Sequence, residues 1–281
     1  MPGRFDELVQ LMAKLRAPDG CPWDRKQTHE SLKPYLLEET YEVLETIDKQ
    51  DEAKLREELG DLLLQVIFHA QIAAERKTFS IDDVIQLLAD KLVRRHPHVF
   101  GPKEDGTLTP DQVYSSWEQI KKSERQQTGR SESALDGVPK TLPALLRAFQ
   151  IQARASRVGF DWPQNREGVH QVMDKVREEI GELTEAYGAR QDESGAGEHD
   201  AARRHLEDEM GDVLFALVNL ARFLKVNPED TLRRATDRFA DRFHFVEAEA
   251  ARTGRTLQSM TLAEMDALWE EAKRKLSPRS A

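Results

Sequence analysis

Cysteine is nearly missing from this sequence. Cys21 is the one cysteine in 281 residues, so no disulfide can close within the chain, and such usage fits a reducing, cytoplasmic compartment. Glycine and proline are sparse at 15 and 12 residues, and aromatics make up 7%. A β-sandwich needs more turn residues than that; a helix-rich protein does not. No apolar run reaches the roughly 18 residues that suggest a membrane span. Surplus positive charge is missing too. The net charge is −10, and a general nucleic-acid binder needs a basic surface to meet phosphates. The opening MPGRFDELVQLMAKLR mixes acids into an amphipathic pattern and does not read as a signal peptide.

What the sequence does have is charge and helical periodicity. Charged residues reach 33%, above the usual quarter, while 39% hydrophobic residues suffice for real cores. The segments LGDLLLQVIFHAQIAAE and MGDVLFALVNLARFLKV are too long and too apolar for strands and predict core helices. In FSIDDVIQLLADKLVRR, Ser80 is placed to cap a helix with Asp82 and Asp83 in its first turn and Arg94 and Arg95 in its last. NPEDTLRRATDRFADRF repeats that design, with Pro228 at the helix start.

These segments recur in order. GCPWD (20–24) parallels GFDWP (159–163), EETYE (38–42) parallels EEIGE (178–182), and EELGDLLLQV (57–66) parallels DEMGDVLFAL (208–217). DDVIQLLADKLVRR (82–95) then parallels EDTLRRATDRFADR (229–242), and SSWEQIKK (115–122) parallels DALWEEAKRK (266–275). Five blocks at so long a period predict two copies of one helical domain rather than a solenoid. We place the copies at 1–124 and 146–281, with a Ser-, Gln- and Pro-rich linker at 125–145. The second copy carries an insertion, GARQDESGAGEHDAARR (188–204), whose polar, Gly-containing composition predicts a mobile loop. The terminal SPRSA predicts a frayed end.

The acids carry the chemistry. Residues three or four apart share a helix face, so Glu39 and Glu42 project together, as do Glu58 and Asp61. Glu179 with Glu182, and Glu209 with Asp212, repeat the arrangement. A single E-E-x-x-E is most simply a solvated helix face. Here each is followed by E-x-x-D running into an apolar helix, with Asp61 and Asp212 expected near the helix starts, and the whole set occurs twice. Two antiparallel helices joined by a short loop then bring four carboxylates into one groove. Unpaired, those acids have raised pKa values. A hard divalent cation, Mg²⁺ with Mn²⁺ as a substitute, relieves that repulsion, and Mg²⁺ readily shares phosphate oxygens. No ligand-spaced Cys/His set accompanies them, which disfavours zinc.

With GCPWD, RRHPHVFG and AEMDALWEEAK beside these acids, nearly the whole chain resembles the MazG family of nucleoside triphosphate pyrophosphohydrolases. The resemblance implies an all-α fold that dimerises through helical bundles. It also implies Mg²⁺-dependent hydrolysis of nucleoside triphosphates to the monophosphate and pyrophosphate, with broad base tolerance. By the same resemblance the metal carboxylates are Glu179, Glu182, Glu209 and Asp212, and in a second site Glu39, Glu42, Glu58 and Asp61. Glu178 and Glu38 match the leading glutamate of the motif, which hydrogen-bonds the metal ligands or serves as the base that orients the attacking water. Arg238, Arg242 and Trp269 match the family's nucleotide contacts.

Both copies keep every acid and differ around them. Lys175 stands where the first copy has Tyr35, and Asn219 where it has Phe68. A triphosphate needs cations and donors beside the metal, so the C-terminal copy is expected to carry most of the activity. The basic pair does not discriminate, because Lys91 and Arg95 match Arg238 and Arg242. Plainer readings exist for each: Lys175 as a surface partner of Glu179, the arginines as ion-paired surface, Trp269 as core, His69 as a satisfied core histidine. Trp23 and Trp162 read as packing or lid residues. Two rivals to the enzyme are a nucleotide sensor without turnover and a helical scaffold; neither accounts as well for two complete acid sets.

Overall fold

The computed structural model describes residues 3–102, 133–192 and 196–276, together with 109, 112–113, 116–117, 119–120 and 123–124; for 190–192 and 196–199 only the backbone is described. Among the described residues the chain is helical and contains no strand. It divides into two compact units, Met1–Thr128 and Gly129–Ala281. The linker residues 125–132 and the tail SPRSA lie outside the described residues.

The first unit contains α1 (Arg4–Arg16), α2 (Pro22–Lys26), α3 (Lys33–Lys49), α4 (Glu52–Glu75), α5 (Ile81–Arg95) and the single turn α6 (Pro97–Phe100). Helices α3 and α4 form its main pair, turned back on each other through Gln50 and Asp51. Gln50 takes the left-handed conformation (φ 54°) that ends α3, and the Asp51 carboxylate accepts from the Lys54 amide at 3.0 Å to begin α4. The core lies against the C-terminal half of α4. Ile67, Phe68 and Ile72 meet Met12 of α1 and Leu32, with Phe5, Leu8, Val9, Leu64 and Ile81 around them. At the start of α5 the Ser80 hydroxyl accepts from the Asp83 amide, and the Asp83 carboxylate accepts from the Ser80 amide at 2.7 Å. Pro97 stops α5, as the residue before a proline is pushed out of the helical region.

The second unit contains α7 (Ala144–Arg157), α8 (Arg166–Asp192), α9 (Ala196–Phe223), α10 (Pro228–Arg252), a 3₁₀ turn (Leu257–Ser259) and α11 (Leu262–Leu276). Helices α8 and α9 make the most extensive contact of the chain, α7 lies against α9, and α10 and α11 form a second hairpin. Val172 and Val176 of α8 and Val213, Ala216 and Val218 of α9 are buried. Asn227 caps α10, accepting from the Glu229 amide at 3.0 Å, with Pro228 next in the first turn.

Two expectations are corrected. The insertion is largely helix rather than a loop: 188–192 extend α8 and 196–204 open α9, with only 193–195 outside the described residues. Its Ala, Arg, Gln, Glu and His residues are adequate helix formers, and mutual support of the two helices outweighs the ~1 kcal/mol that each helical glycine costs. The aspartates also sit inside helices instead of at their starts. Asp61 follows a run from Glu52 that Asp51 already caps, and Asp212 is deeper still in α9. Gly60 and Gly211 therefore begin nothing; a Cβ at either would meet open space. No helix among the described residues is long and apolar enough to cross a membrane.

Candidate metal and nucleotide site

Each main helix pair gathers acids. In the first unit Glu39 of α3 converges with Glu58 and Asp61 of α4; in the second, Glu179 and Glu182 of α8 converge with Glu209 of α9. In each group one carboxylate oxygen per residue lies within 4.8 Å of the others. Glu58 and Glu179 are buried, at 3% and 7% exposed. Buried carboxylates need partners, and each has one ammonium. The Nζ of Lys54 stands 2.6 Å from Glu58, and that of Lys175 stands 2.8 Å from both Glu178 and Glu179.

One lysine does not neutralise three or four acids. Desolvation, and then the charges of Asp61, Glu42, Glu58 and Glu38, push the Glu39 carboxyl up. Glu42 is raised by desolvation and then by the charges of Glu58 and Glu38. Glu182 is raised by desolvation and then by Glu179. The glutamate hydrogen bonds hold the Lys175 ammonium well above the ordinary lysine range, that of Glu178 foremost. Acids this reluctant to ionise, with only carboxylates in the donor set, fit a hard divalent cation. Glu39, Glu58 and Asp61 would hold it in one unit, and Glu179, Glu182 and Glu209 in the other.

Not every expected ligand joins these groups. Glu42 stands beside Glu58 but outside the first trio, and Asp212 is exposed and outside the second. Glu178 faces Lys175 from the surface. Asn219 is held within the protein: its Oδ1 accepts from Arg222 at 2.7 Å, and Arg222 grips Asp161 at 2.8 and 2.5 Å. Arg242 lies over the Trp269 ring, 5.9 Å from its centroid, and Phe239 meets the same ring at 4.9 Å. Neither Arg238 nor Arg242 has an ion-pair partner among the described residues. His69 is only half satisfied: its Nδ1 meets that of His29 at 2.8 Å, while its buried Nε2 has no partner among the described residues. Trp23 and Trp162 are partly exposed, Trp23 meeting Tyr35 edge-on at 5.8 Å.

Two contacts to the acids go beyond the residues singled out from sequence. Lys54 precedes Glu58 by one turn, and at the matching place in the second copy His205 precedes Glu209, 3.4 Å away. The i, i+4 spacing was the readable signal. The two units thus draw their ammonium from opposite helices: α4 supplies Lys54, whereas α8 supplies Lys175.

Fold and site define an all-α protein with two helix-borne carboxylate clusters suited to divalent cations. The chain belongs to the MazG nucleotide pyrophosphohydrolase domain family, whose model matches residues 27–100 and again 167–246. Over 270 residues it is 48% identical to the nucleoside triphosphate pyrophosphohydrolase/pyrophosphatase MazG of Thermotoga maritima, covering 96% of this chain and 95% of that one. Over 272 residues it is 46% identical to the nucleoside triphosphate pyrophosphohydrolase of Escherichia coli, covering 96% and 97%. Among solved structures, the crystal structure of a mazG-related protein from Thermotoga maritima matches 42% of this chain and 98% of its own, at 28% identity and a TM-score of 0.36. The family assignment rests on the sequence matches.

Proposed function

We propose that this chain is a nucleoside triphosphate pyrophosphohydrolase whose C-terminal unit does most of the work. The observation that carries this is the Glu179–Glu182–Glu209 group with Lys175 set into it, in a chain of this family. Glu179, Glu182, Glu209 and Asp212 are the residues that would hold Mg²⁺, or Mn²⁺ in its place; bound there, the cation would neutralise phosphate oxygens and make water more acidic. Glu178, held by Lys175 at the surface of the cluster, is the base that takes the proton of the attacking water. Water adds to the α-phosphorus, the bridge to the β-phosphate breaks, and the monophosphate and pyrophosphate leave. Lys175, Arg238 and Arg242 hold the phosphate charge, Asn219 meets sugar or base through its amide, and Trp269 stacks on the base. Stacking reads no base edge, which is why broad base tolerance is expected.

The N-terminal acids, Glu39, Glu42, Glu58 and Asp61, form a second cation site with a structural or regulatory role. The protein works in the cytoplasm as a homodimer. Supporting the dimer, Leu59, Leu63 and Val66 form an exposed stripe on α4, and Met210, Leu214 and Leu217 form its counterpart on α9.

The test is hydrolysis of a nucleoside triphosphate in Mg²⁺, with pyrophosphate and orthophosphate separated, for wild type, Glu39→Ala and Glu179→Ala. Pyrophosphate from the wild type and Glu39→Ala, lost in Glu179→Ala, is the expected outcome. Orthophosphate alone, or loss only in Glu39→Ala, would reverse the chemistry or the assignment of the working unit.

A further inference from the structure

Asp161 lies in the loop that leads into α8, and its carboxylate gathers four donors. Arg222 of α9 supplies two, at 2.8 and 2.5 Å. The Trp162 amide supplies a third at 3.0 Å, and the Gln164 side chain a fourth at 2.5 Å. The loop is seated closely: a Cβ at Gly168, in the first turn of α8, would stand 1.8 Å from the Pro163 carbonyl oxygen. The Asp161 and Arg222 side chains are each 11% exposed, so the ion pair is largely withdrawn from solvent. Such a pair adds little net stability over apolar packing, and fixing one arrangement of its neighbours is its better-attested use.

The neighbour that Arg222 fixes is Asn219. Arg222 Nε and Nη2 both donate to Asn219 Oδ1, at 3.1 and 2.7 Å. A guanidinium carries donors only, so the amide oxygen must face it and the amide nitrogen must point elsewhere. That Nδ2 donates to nothing among the described residues and is not sealed from solvent. Asn219 is thereby set as a donor and cannot turn to offer its oxygen. It stands two helical turns, about 10 Å, beyond Asp212 on the same face of α9.

The first copy ties down its loop without presenting any donor. There Arg16 holds the loop through the carbonyls of Asp24 and Gln27, and its guanidinium lies 5.4 Å from the Phe68 ring centroid. By the repeat, Pro22 stands for Asp161, Phe68 for Asn219 and Gln71 for Arg222; Gln71 turns instead to Glu75, at 3.0 Å. Docking the loop therefore needs no asparagine. All three members of the chain from Asp161 through Arg222 to Asn219 belong to the copy that also has Lys175.

We infer that Arg222 and Asp161 are positioning residues for the nucleotide: they hold the Asn219 amide as a fixed donor to a sugar hydroxyl or base edge and join it to the Trp162 loop. This deepens the proposed function and rests on it. An amide free to turn would have to be ordered by the substrate, and the pair removes that ordering from the binding step. The contact is present in bound substrate and transition state alike, so it acts on KM rather than kcat.

The experiment measures pyrophosphate release from ATP in Mg²⁺ by the full chain, in wild type, Arg222→Met, Asn219→Leu and the double variant. Each single change should raise KM about tenfold with kcat within about twofold, and the double variant should be no worse than Asn219→Leu alone, because Arg222 acts through Asn219. A merely structural ion pair would lower the folded fraction and so the apparent kcat; an Arg222→Met KM equal to wild type, or KM effects that multiply in the double variant, would overturn the inference. Should Arg222→Met fail to fold, Asp161→Asn, which keeps the shape and one acceptor oxygen, takes its place in the cycle under the same criteria. Repeating Asn219→Leu with 2′-deoxy-ATP, 3′-deoxy-ATP and CTP locates the acceptor. A penalty that vanishes with one deoxy sugar places it on that hydroxyl, one that changes with the base places it there, and one equal for all four substrates would overturn the contact. A wild type that releases no pyrophosphate counts against the proposed function; the same cycle is then read from the Kd of α,β-methylene ATP, whose carbon bridge resists hydrolysis.

Discussion

Lys175 stands where a charge difference between the copies is concentrated. Its ammonium touches Glu178 and Glu179, and the first copy has Tyr35 in its place. Replacing Lys175 by methionine removes a phosphate partner while keeping the stem, so kcat/KM for a nucleoside triphosphate should fall about 10- to 100-fold, measured by pyrophosphate release. Glu209→Gln should cost more, about 100-fold or beyond, because a neutral amide is a poor ligand for a hard cation; Glu58→Gln should leave turnover largely intact. The raised carboxyls add a pH dependence. In the metal-free protein Glu39, Glu42 and Glu182 hold protons more tightly than in the unfolded chain. They therefore favour the fold at low pH, and that contribution is lost as pH rises through their folded values. A cation removes the repulsion that appears above them. Mg²⁺ should then raise the melting temperature more at about pH 7.5 than at about pH 5, where it competes with protons. An equal rise at both would argue against carboxylate ligation.

At the scale of helices, each unit ties its leading segment to a central helix by a guarded ion pair, built from different residues. In the first, Arg16 of α1 grips Glu75 of α4 at 2.8 Å through two nitrogens; in the second, Arg222 of α9 grips Asp161. Both arginines are nearly buried. Cutting one partner leaves the other charged and desolvated, so Arg222→Met should destabilise the C-terminal unit by about 3 kcal/mol in a urea melt. Ser80→Ala, which removes the α5 cap, should cost about 1 kcal/mol in the N-terminal one. What sequence can reveal follows the same division between local and distant. The Ser80 and Pro228 helix starts, the stop at Pro97 and the i, i+3 acids are readable because their partners lie within a turn. The clamp of Glu124 on Arg95 bridges 29 residues, and nothing local marks it. The insertion misleads for a related reason: its composition suggests a loop, and only the support of α8 by α9 makes it helix.

For the whole molecule, the apolar residues left outside are as informative as those inside. Leu59, Leu63 and Val66 are exposed on α4, and the residues matched to them by the repeat, Met210, Leu214 and Leu217, are exposed on α9. The duplication has preserved the same uncovered stripe twice, which a lone monomer gains nothing from keeping. Leu63→Glu with Leu214→Glu should shift the molar mass in light scattering from two chains toward one, and a wild type already running as a single chain would refute the homodimer. The tandem design was evident in sequence from its five ordered blocks; the surface that each copy leaves bare was not, because periodicity tells which face is apolar but not what covers it.

The lysine planted in each acid cluster also bears on the life of the protein before it meets any cation. A newly made chain can settle its carboxylates on Lys54 and Lys175 and reach its final form in a metal-poor environment. Chelation should accordingly idle this protein without dismantling it: treated with EDTA, it should stop releasing pyrophosphate while its far-ultraviolet helical signal persists, and resume when Mg²⁺ returns. Under the proposed function, supply of the cation would then act as a throttle, opened and closed repeatedly on one stock of folded molecules.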